Sequence, residues 1–263
     1  MAEIITSSNN PTVRSLRKLA SSNKVRREEG KTIASGTHLV RSFLESGSLP
    51  EICFIATAAQ ANDEVVALIT QLQRTDTTLI ELSDSVFESV ADVHAEVGIA
   101  IVFTLPTHTP VNRIARDALM LEDIQDPGNL GTILRTAAAA GVTDIFLSPN
   151  CASVWSPKAL RAGMGAQFGL TLHEQSNLEE LTLSSQIPVY ATTLAADNVD
   201  VYELDLTDPV AWIVGNEGQG VSRDLAAAAN QRVRIPQAHT PVESLNVAAA
   251  TAVCLYEQFR QRI

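Results

Sequence analysis

From residue 118 onward, short apolar runs alternate with segments whose apolar residues recur at helical spacing. Strand-like runs such as ALMLEDI (118–124) and AWIVG (211–215) precede helix-like stretches such as LGTILRTAAAAG (130–141) and VSRDLAAAAN (221–230). Strands that alternate with helices pair in parallel, and their helices cover both faces of the sheet. The alternation therefore predicts an α/β fold, in which ligands bind in loops beyond the carboxyl ends of the strands.

The first hundred residues carry a separate pattern of the same kind. NPTVRSLRKLASS and THLVRSFLESG predict helices, and KTIASG, EICFIA and VGIAIVF predict strands. LPTHTPVNRIARD follows with two prolines and no clear periodicity, which is typical of a linker. The sequence thus predicts an α/β domain at residues 1–105, a linker at 106–116 and a second domain at 117–263.

Composition favours a reduced cytoplasmic protein. No apolar run reaches the roughly 20 residues that a membrane-spanning helix needs, and the N-terminus lacks the apolar stretch of a signal peptide. The three cysteines are far apart and show no metal-ligand spacing, so we expect neither disulfides nor a bound metal. These cysteines are Cys53, Cys151 and Cys254.

The net charge of the chain is negative, but its basic residues are concentrated near the N-terminus. A net charge of −11 argues against a nucleic-acid partner. Residues 1–41, however, hold eight basic and three acidic residues, while the rest of the chain holds 11 basic and 27 acidic ones. A solvated basic helix face would account for this excess. If a polyanion binds, we expect the N-terminal segment to form part of its footprint.

Three loops that follow strands of the second domain carry the informative residues. In the first, DIQDPGNLGTILRT, Asn129 is expected to cap a helix on which Arg135 offers the fork geometry suited to phosphate or carboxylate. In the second, IVGNEGQG, a tight turn explains the glycines but not Glu217. In the third, RIPQAHTPVESLN, Ser244 is expected to cap the last helix, and His239 to be a surface residue.

Other catalytic patterns fit poorly. GNEGQG is not G-x-G-x-x-G and follows a late strand, which disfavours a nucleotide-dependent enzyme of Rossmann type. Glu217 and Glu243 could suggest a glycosidase pair, but no aromatic residues of a sugar cleft accompany them. Ser–His–Asp order, CxxC and HExxH are absent.

Taken together, the three loops resemble the motifs of the SpoU/TrmH family of the SPOUT class, which are RNA ribose 2′-O-methyltransferases that use S-adenosylmethionine. LEDIQDPGNLGTILRTAAAAGV resembles the first motif, with Asn129 and Arg135. WIVGNEGQGVS resembles the second, with Glu217, and IPQAHTPVESLNVAAA the third, with Ser244 and Asn246. WSPKALRAGMGAQF, between the first two, is also similar to the family. The N-terminal region is similar to the L30e-like RNA-binding domain often fused in front.

The resemblance implies an architecture and a set of partners. It implies a C-terminal parallel-sheet domain with a deep trefoil knot, preceded by a smaller L30e-like α/β domain. It implies a homodimer whose active site is completed across the interface, and an RNA substrate, with ribosomal RNA favoured over transfer RNA. By position, four residues would surround the adenosine of S-adenosylmethionine: Leu194, Gly215, Ile235 and Leu245.

The resemblance also implies catalytic roles. The family's proposed actor is Arg135, as general base or as activator of the ribose hydroxyl. Because a guanidinium stays charged at neutral pH, it is better suited to clamping a phosphate or stabilising a developing alkoxide than to acting as a general base. Asn129 and Asn246 are expected to orient the ribose or the loops. Glu217 is expected to hold Arg135 or the second loop, and Ser244 to cap the final helix and meet substrate.

Two departures from the family pattern bear on these expectations. The third motif has Gln237 in place of the usual Met, lacks the following glycine and is about one residue longer, so its substrate-facing edge is expected to differ. In the first domain, Ser35 stands where the family often has Glu, and VHAEVG (93–98) replaces a Thr-Pro-Gln-Gly turn. The altered loop and the acidic catalytic half leave open a second hypothesis, an RNA-binding protein without methyltransferase activity.

Overall fold

The computed structural model divides into two compact units, each described here by itself. It describes residues 4–91, 97–107, 111–195, 198–238 and 243–263. The first unit comprises Met1–Thr107 and Ser153–Phe168, and the second comprises His108–Ala152 and Gly169–Ile263. The segment Ser153–Phe168 therefore packs within the first unit, although in sequence it lies inside the second expected domain.

The first unit is built on a sheet with the strand order β1-β4-β2-β3 in its described residues. Strand β4 runs antiparallel to β1 and to β2, whereas β2 and β3 are parallel. The strands are β1 (Lys31–Ser35), β2 (Ile52–Ala56), β3 (Thr78–Leu82) and β4 (Ile99–Thr104). The helices are α1 (Pro11–Ser21), α2 (Asn23–Glu29), α3 (Thr37–Glu45), α4 (Asp63–Leu72), α5 (Asp84–Glu88) and α7 (Pro157–Gly163), with short 3-10 turns at Thr57–Ala61 and Ala166–Gly169.

Local sequence explains where α1 begins and which face it buries. The side chain of Asn10 accepts a hydrogen bond from the Thr12 N–H, and a proline occupies the first turn, where its missing N–H costs nothing. Val13, Leu16 and Leu19 are buried at helical spacing. The basic residues of α1 consequently lie on the other faces, and Arg14 and Lys18 are exposed.

Aromatic side chains form much of the core of the first unit. The rings of Phe43 on α3 and Phe103 on β4 lie 4.5 Å apart, and Trp155 meets Phe103 edge-on at 6.2 Å. The hydroxyl of Thr32 on β1 donates a 2.7 Å hydrogen bond to the Trp155 carbonyl. These contacts account for the assignment of the segment Ser153–Phe168 to this unit.

The second unit is built on a parallel sheet with the order β7-β6-β5-β10-β8-β11-β9 in the part of the chain that the structure describes. Its strands are β5 (Ala118–Leu121), β6 (Asp144–Leu147), β7 (Thr171–His173), β8 (Val189–Thr192), β9 (Val199–Asp200), β10 (Ala211–Val214) and β11 (Gln231–Arg234). Its helices are α6 (Pro127–Ala139), α8 (Leu178–Leu183), α9 (Arg223–Ala228) and α10 (Val247–Arg260), with a 3-10 turn at Val201–Glu203.

Helices cover both faces of this sheet, as the alternation of strands and helices predicts. On one face, Ile213 of β10 packs in a buried cluster with Leu181 of α8 and Leu225 of α9. On the other face, the indole N–H of Trp212 donates a 2.7 Å hydrogen bond to the side chain of Gln258 on α10. Central strands are buried on both sides, which explains their continuous apolar sequence. The predicted α/β class with a parallel sheet is confirmed.

Several elements differ from the expectation. The helices α2 and α8 and the short strands β7 and β9 were not predicted from the sequence.

In the expected linker, the described residues form no helix or strand, and residues 108–110 lie outside the described part of the chain. Most of VHAEVG and His239 lie outside it as well. Among the helices that are described, none has the length and hydropathy needed to cross a membrane.

Candidate active site

Neighbouring strands of the second sheet place their carboxyl ends around one pocket. Strands β8, β10 and β11 lie in the order β10-β8-β11, so the loops that follow them are adjacent. The first turn of α10 completes the wall through Val247 and Ala250. The pocket has a volume of about 240 Å³. The four residues expected to surround a cofactor all line it: Leu194, Gly215, Ile235 and Leu245.

Gly215 lies where two stretches of backbone come into close contact. A Cβ atom at this position would lie 2.2 Å from both the Gly220 carbonyl carbon and the Val221 nitrogen. Atoms that are not bonded do not approach so closely, so only glycine fits this backbone path. The absence of a side chain at Gly215 thus lets the peptide between Gly220 and Val221 pack directly against this part of the main chain.

Asn216 organises the rest of the glycine loop, defined here as Asn216–Ser222. Its Oδ1 accepts hydrogen bonds from the backbone N–H groups of Gly218 (2.8 Å) and Gln219 (3.2 Å). Its carbonyl oxygen accepts from the Gly220 N–H at 2.8 Å. The backbone of Gly220 has a φ of +71°, a left-handed conformation that glycine adopts without strain. One asparagine side chain therefore fixes the turn that forms a wall of the pocket.

Helix α6 starts earlier than expected. The N-cap is Asp126, whose side chain accepts a hydrogen bond from the Gly128 N–H, and Pro127 occupies the first turn. The prediction that Asn129 caps this helix is wrong. Because Pro127 favours the first helical position, the helix has already begun when the chain reaches Asn129, and the amide of Asn129 is available for other contacts.

The last helix starts later than expected. The N-cap of α10 is Asn246, whose Oδ1 accepts from the N–H groups of Ala248 (2.9 Å) and Ala249 (3.4 Å). The prediction that Ser244 caps this helix is wrong, because the helix begins two residues further along the chain than that prediction required. Ser244 instead lines the pocket and is exposed.

A chain of side-chain hydrogen bonds joins the three loops. Because Asn246 Oδ1 accepts from the backbone, its Nδ2 donates to Asn129 Oδ1 at 3.0 Å. Asn129 Nδ2 in turn donates to Glu217 Oε1 at 3.1 Å. In an amide the Oδ1 atom only accepts and the Nδ2 atom only donates, and a carboxylate only accepts, so the two hydrogen bonds are consistent with each other. The structure thus brings together Asn129, Glu217 and Asn246, which the sequence placed in separate motifs.

Glu217 holds the first loop. Besides Asn129, its carboxylate accepts hydrogen bonds from the N–H groups of Gln125 and Asp126, each at 3.4 Å. Burial alone would raise the pKa of Glu217. The hydrogen bonds from Asn129 and from these backbone groups together lower the pKa by more than burial raises it, so the pKa lies below its ordinary value. Glu217 is therefore a carboxylate at neutral pH.

Arg135 is separate from this chain of hydrogen bonds. It is exposed on α6, and within the described residues it forms no ion pair with Glu217 or any other carboxylate. The expectation that Glu217 holds Arg135 is thus not met. The alternative expectation was that Glu217 holds the second loop, whereas its side-chain hydrogen bonds go to the first loop. A guanidinium that forms no ion pair within the described part of the chain is suited to binding a phosphate or a developing oxyanion.

Sequence reasoning missed Asn216, although a signal for it exists. An asparagine followed two residues later by glycine favours a turn in which the side chain binds the backbone. Gln237, the residue that departs from the family pattern, lines the pocket and is exposed. Among the described residues, no group of three or more His, Cys, Asp or Glu side chains could hold a metal ion.

Comparison with known proteins extends over both units. Residues 117–256 match the SpoU rRNA Methylase family, and residues 10–100 match the MRM3-like substrate binding domain. A protein of Synechocystis sp., named an uncharacterized tRNA/rRNA methyltransferase, is 37% identical over 98% of this chain and 94% of its own. The 23S rRNA (guanosine(2553)-2′-O)-methyltransferase RlmP of Bacillus subtilis is 29% identical over 96% of this chain and 97% of its own.

Solved structures give a matching result. An AdoMet-bound rRNA methyltransferase from Sinorhizobium meliloti superposes with a TM-score of 0.81 at 27% identity, over 99% of this chain and 98% of its own. The family match at residues 117–256 covers more than half of the chain and contains all three loops that are joined through Asn129, Glu217 and Asn246. The chain therefore belongs to the SpoU rRNA methylase family.

Proposed function

We propose that this protein transfers a methyl group from S-adenosylmethionine to a ribose 2′-hydroxyl of structured RNA, with ribosomal RNA as the substrate class. The observation that carries the proposal is the pocket itself. The four expected cofactor residues line one cavity, and the loops around that cavity are joined by the hydrogen bonds of Asn129, Glu217 and Asn246. The names of the relatives support ribosomal over transfer RNA.

The pocket suits an adenosine-containing ligand. Leu194, Ile235 and Leu245 offer apolar surface for a flat base and a ribose. Gly215 and Gly218 line the pocket without side chains, so main-chain N–H and C=O groups could recognise polar ligand atoms there. S-adenosylmethionine, when bound, supplies a methyl group on a positively charged sulfur.

The residues around the pocket would align the ribose and stabilise charge. Holding the hydroxyl oxygen in line for attack can supply about 7–11 kcal/mol of the barrier. The hydroxyl must lose its proton as the new bond forms, and we assign solvent water as the acceptor of that proton. We assign to Arg135 the stabilisation of the developing negative charge or the binding of a neighbouring phosphate, since a guanidinium is a poor base. Glu217, Asn129 and Asn246 keep the start of α6, which carries Arg135, fixed against the pocket loops, and Ser244, exposed at the pocket, would meet the substrate.

The first unit is proposed to bind the RNA outside the reacting nucleotide. Its match to a substrate binding domain supports this role. Arg14 and Lys18 are exposed four residues apart on α1, a helix without acidic residues. Regularly spaced cations of this kind neutralise phosphates along a nucleic-acid backbone.

We further propose a homodimer. Helix α10 exposes Tyr256 and Phe259, which are 48% and 39% accessible, and Ile263, three residues past the end of the helix, is 85% accessible. Large apolar side chains grouped on one short segment mark a surface suited to a protein partner. Light scattering coupled to gel filtration measures the fraction of dimer. The Tyr256→Glu variant should have a lower fraction of dimer than the wild type. A wild type that is monomeric at all concentrations would contradict the proposal.

Two expectations from the resemblance are kept as parts of the proposal. The first is the trefoil knot, which the resemblance implies would form the cofactor pocket; Val247 and Ala250 of α10 line the same pocket as the loop that follows β10. The second is a cytoplasmic location, which is supported by the free thiols of the cysteines.

Substitution of Arg135 tests the proposed chemistry. Arg135→Ala should bind S-adenosylmethionine like the wild type in calorimetry but lose methyl transfer to RNA by about 10²-fold or more, as removal of a charge-stabilising donor does elsewhere. Arg135→Lys should recover part of this loss, because it keeps the charge without the fork. Arg113→Ala, at another exposed arginine of the same unit, serves as the control. Near wild-type transfer by Arg135→Ala would refute the assignment.

A further inference from the structure

Two consecutive acidic residues, Glu122 and Asp123, lie beside the glycine loop. They follow β5, and the glycine loop follows β10, the strand paired with β5 in parallel. Leu121 and Val214, the last residues of the two strands, are partners in the register. The acidic pair and the start of the glycine loop therefore leave the sheet side by side.

Glu122 binds the far end of the glycine loop. Its Oε2 accepts a 2.7 Å hydrogen bond from the backbone N–H of Ser222. Ser222 is the N-cap of α9, and its own side chain makes no capping hydrogen bond. A bond between a carboxylate and an N–H is among the stronger protein hydrogen bonds. Glu122 thus fixes the residue at which the loop ends and α9 begins.

Asp123 binds the near end of the glycine loop. Its carbonyl oxygen accepts a 2.9 Å hydrogen bond from Asn216 Nδ2, the amide whose oxygen organises the turn. Its backbone has a φ of +55°, a left-handed conformation that aspartate adopts more readily than most residues but still at a cost. This conformation directs the carbonyl toward Asn216.

The carboxylate of Asp123 offsets the cost of that conformation. It accepts hydrogen bonds from the Ser148 hydroxyl at 2.5 Å and from Asn150 Nδ2 at 3.1 Å. The N–H of Asp123 donates to the same hydroxyl at 2.8 Å. The loop after β6 therefore holds Asp123 from one side while Asp123 holds Asn216 on the other.

We propose that Glu122 and Asp123 are positioning residues that hold both ends of the glycine loop in the form that binds the methyl donor. The proposal rests on the proposed function, because the loop forms a wall of the pocket. Neither acid lines that pocket, so each acts through the loop. Loss of either contact should weaken cofactor binding and leave RNA binding unchanged.

Glu122 gives the sharper test. Glu122→Ala removes a charge-assisted hydrogen bond, for which we expect about a tenfold or greater rise in the Kd for S-adenosylmethionine, measured by calorimetry. Glu122→Gln keeps an acceptor oxygen and should stay within about threefold of the wild type. Asp205→Ala is the matched control, because Asp205 also accepts a backbone N–H in the same unit, but from Thr207, which lies outside the glycine loop.

Two substitutions of Asp123 separate the contribution of its backbone conformation to cofactor binding from the contribution of its carboxylate. Asp123→Gly keeps the left-handed conformation and the carbonyl but loses the bonds to Ser148 and Asn150, so it should weaken cofactor binding moderately. Asp123→Ala also loses tolerance of the conformation and should weaken it more. In both variants methyl transfer should recover at saturating S-adenosylmethionine, giving a change in KM with little change in kcat.

The outcomes distinguish the inference from the function on which it rests. If the wild type does not bind S-adenosylmethionine, the proposed function fails. If the wild type binds it and Glu122→Ala and Asp123→Gly bind equally well, the positioning inference is overturned while the function stands. If circular dichroism shows that Glu122→Ala fails to fold, Asp123→Gly decides the question: a raised Kd for S-adenosylmethionine would support the inference, and an unchanged Kd would overturn it.

Discussion

Substitution of Gly215 by alanine should damage both the pocket and the fold around it. The added Cβ would lie 2.2 Å from two backbone atoms, against 3.4 Å or more for an ordinary contact. Backbone cannot move aside by a change of rotamer, so the loop would have to shift by about 1 Å or more. We expect a loss of about 1–3 kcal/mol in the free energy of unfolding and at least a tenfold rise in the Kd for S-adenosylmethionine.

Gly218 provides a control within the same loop. A Cβ there would meet its nearest neighbour, Asn216 Oδ1, at 3.5 Å, which is an ordinary contact. Gly218→Ala should therefore keep both stability and cofactor affinity, measured by thermal unfolding and calorimetry on the two variants side by side. If Gly215→Ala unfolds at the wild-type temperature and binds the cofactor as tightly as Gly218→Ala, the close approach of the backbone has no part in forming the pocket.

Two further predictions concern RNA binding and acid stability. The double variant Arg14→Ala, Lys18→Ala should reduce the slope of log K for RNA against log salt by about 1.4 to 1.8, since each of two phosphate contacts contributes about 0.7–0.9. The Arg74→Ala variant, at an exposed arginine of the first unit, should leave the slope unchanged. Equal slopes in all three proteins would exclude α1 from the interface. Hydrogen bonds from Arg260 and Gln261 lower the pKa of Glu257 from 4.5 to about 2, so the stability they contribute is complete above 4.5 and is lost as the pH falls towards 2. Glu257→Gln should lose less stability than the wild type across that range in urea titrations, and an equal loss would contradict the assignment.

The fold class was accessible to sequence because the signal is repeated along the chain. The central strands are short apolar runs, and helical patterns follow β5 and β10, so an error in one element does not change the class. The elements missed were short: β7 has three residues and β9 has two, too few for any periodicity to show. The position of Ser153–Phe168 in the first unit depends on contacts such as that between Thr32 and Trp155, which are remote in sequence.

The residues of the site were accessible to sequence, but their contacts were not. Asp126 and Asn129 are both good capping residues, as are Ser244 and Asn246, and sequence alone does not decide which member of each pair the helix uses. Once Asp126 caps α6, the Asn129 amide is free to join Asn246 to Glu217. The resemblance implied that Glu217 holds Arg135 or the second loop, whereas the loop geometry gives its carboxylate neutral donors of the first loop instead.

The central claim is methyl transfer to a ribose hydroxyl, and product analysis tests it most directly. Purified protein is incubated with S-adenosylmethionine carrying a labelled methyl group and with ribosomal RNA from cells that lack this gene. The RNA is then digested to nucleosides and separated. The account predicts label in a single 2′-O-methylated nucleoside, absent when the Arg135→Ala variant is used. Label on a base, or no transfer by a protein that binds both the cofactor and the RNA, would contradict it.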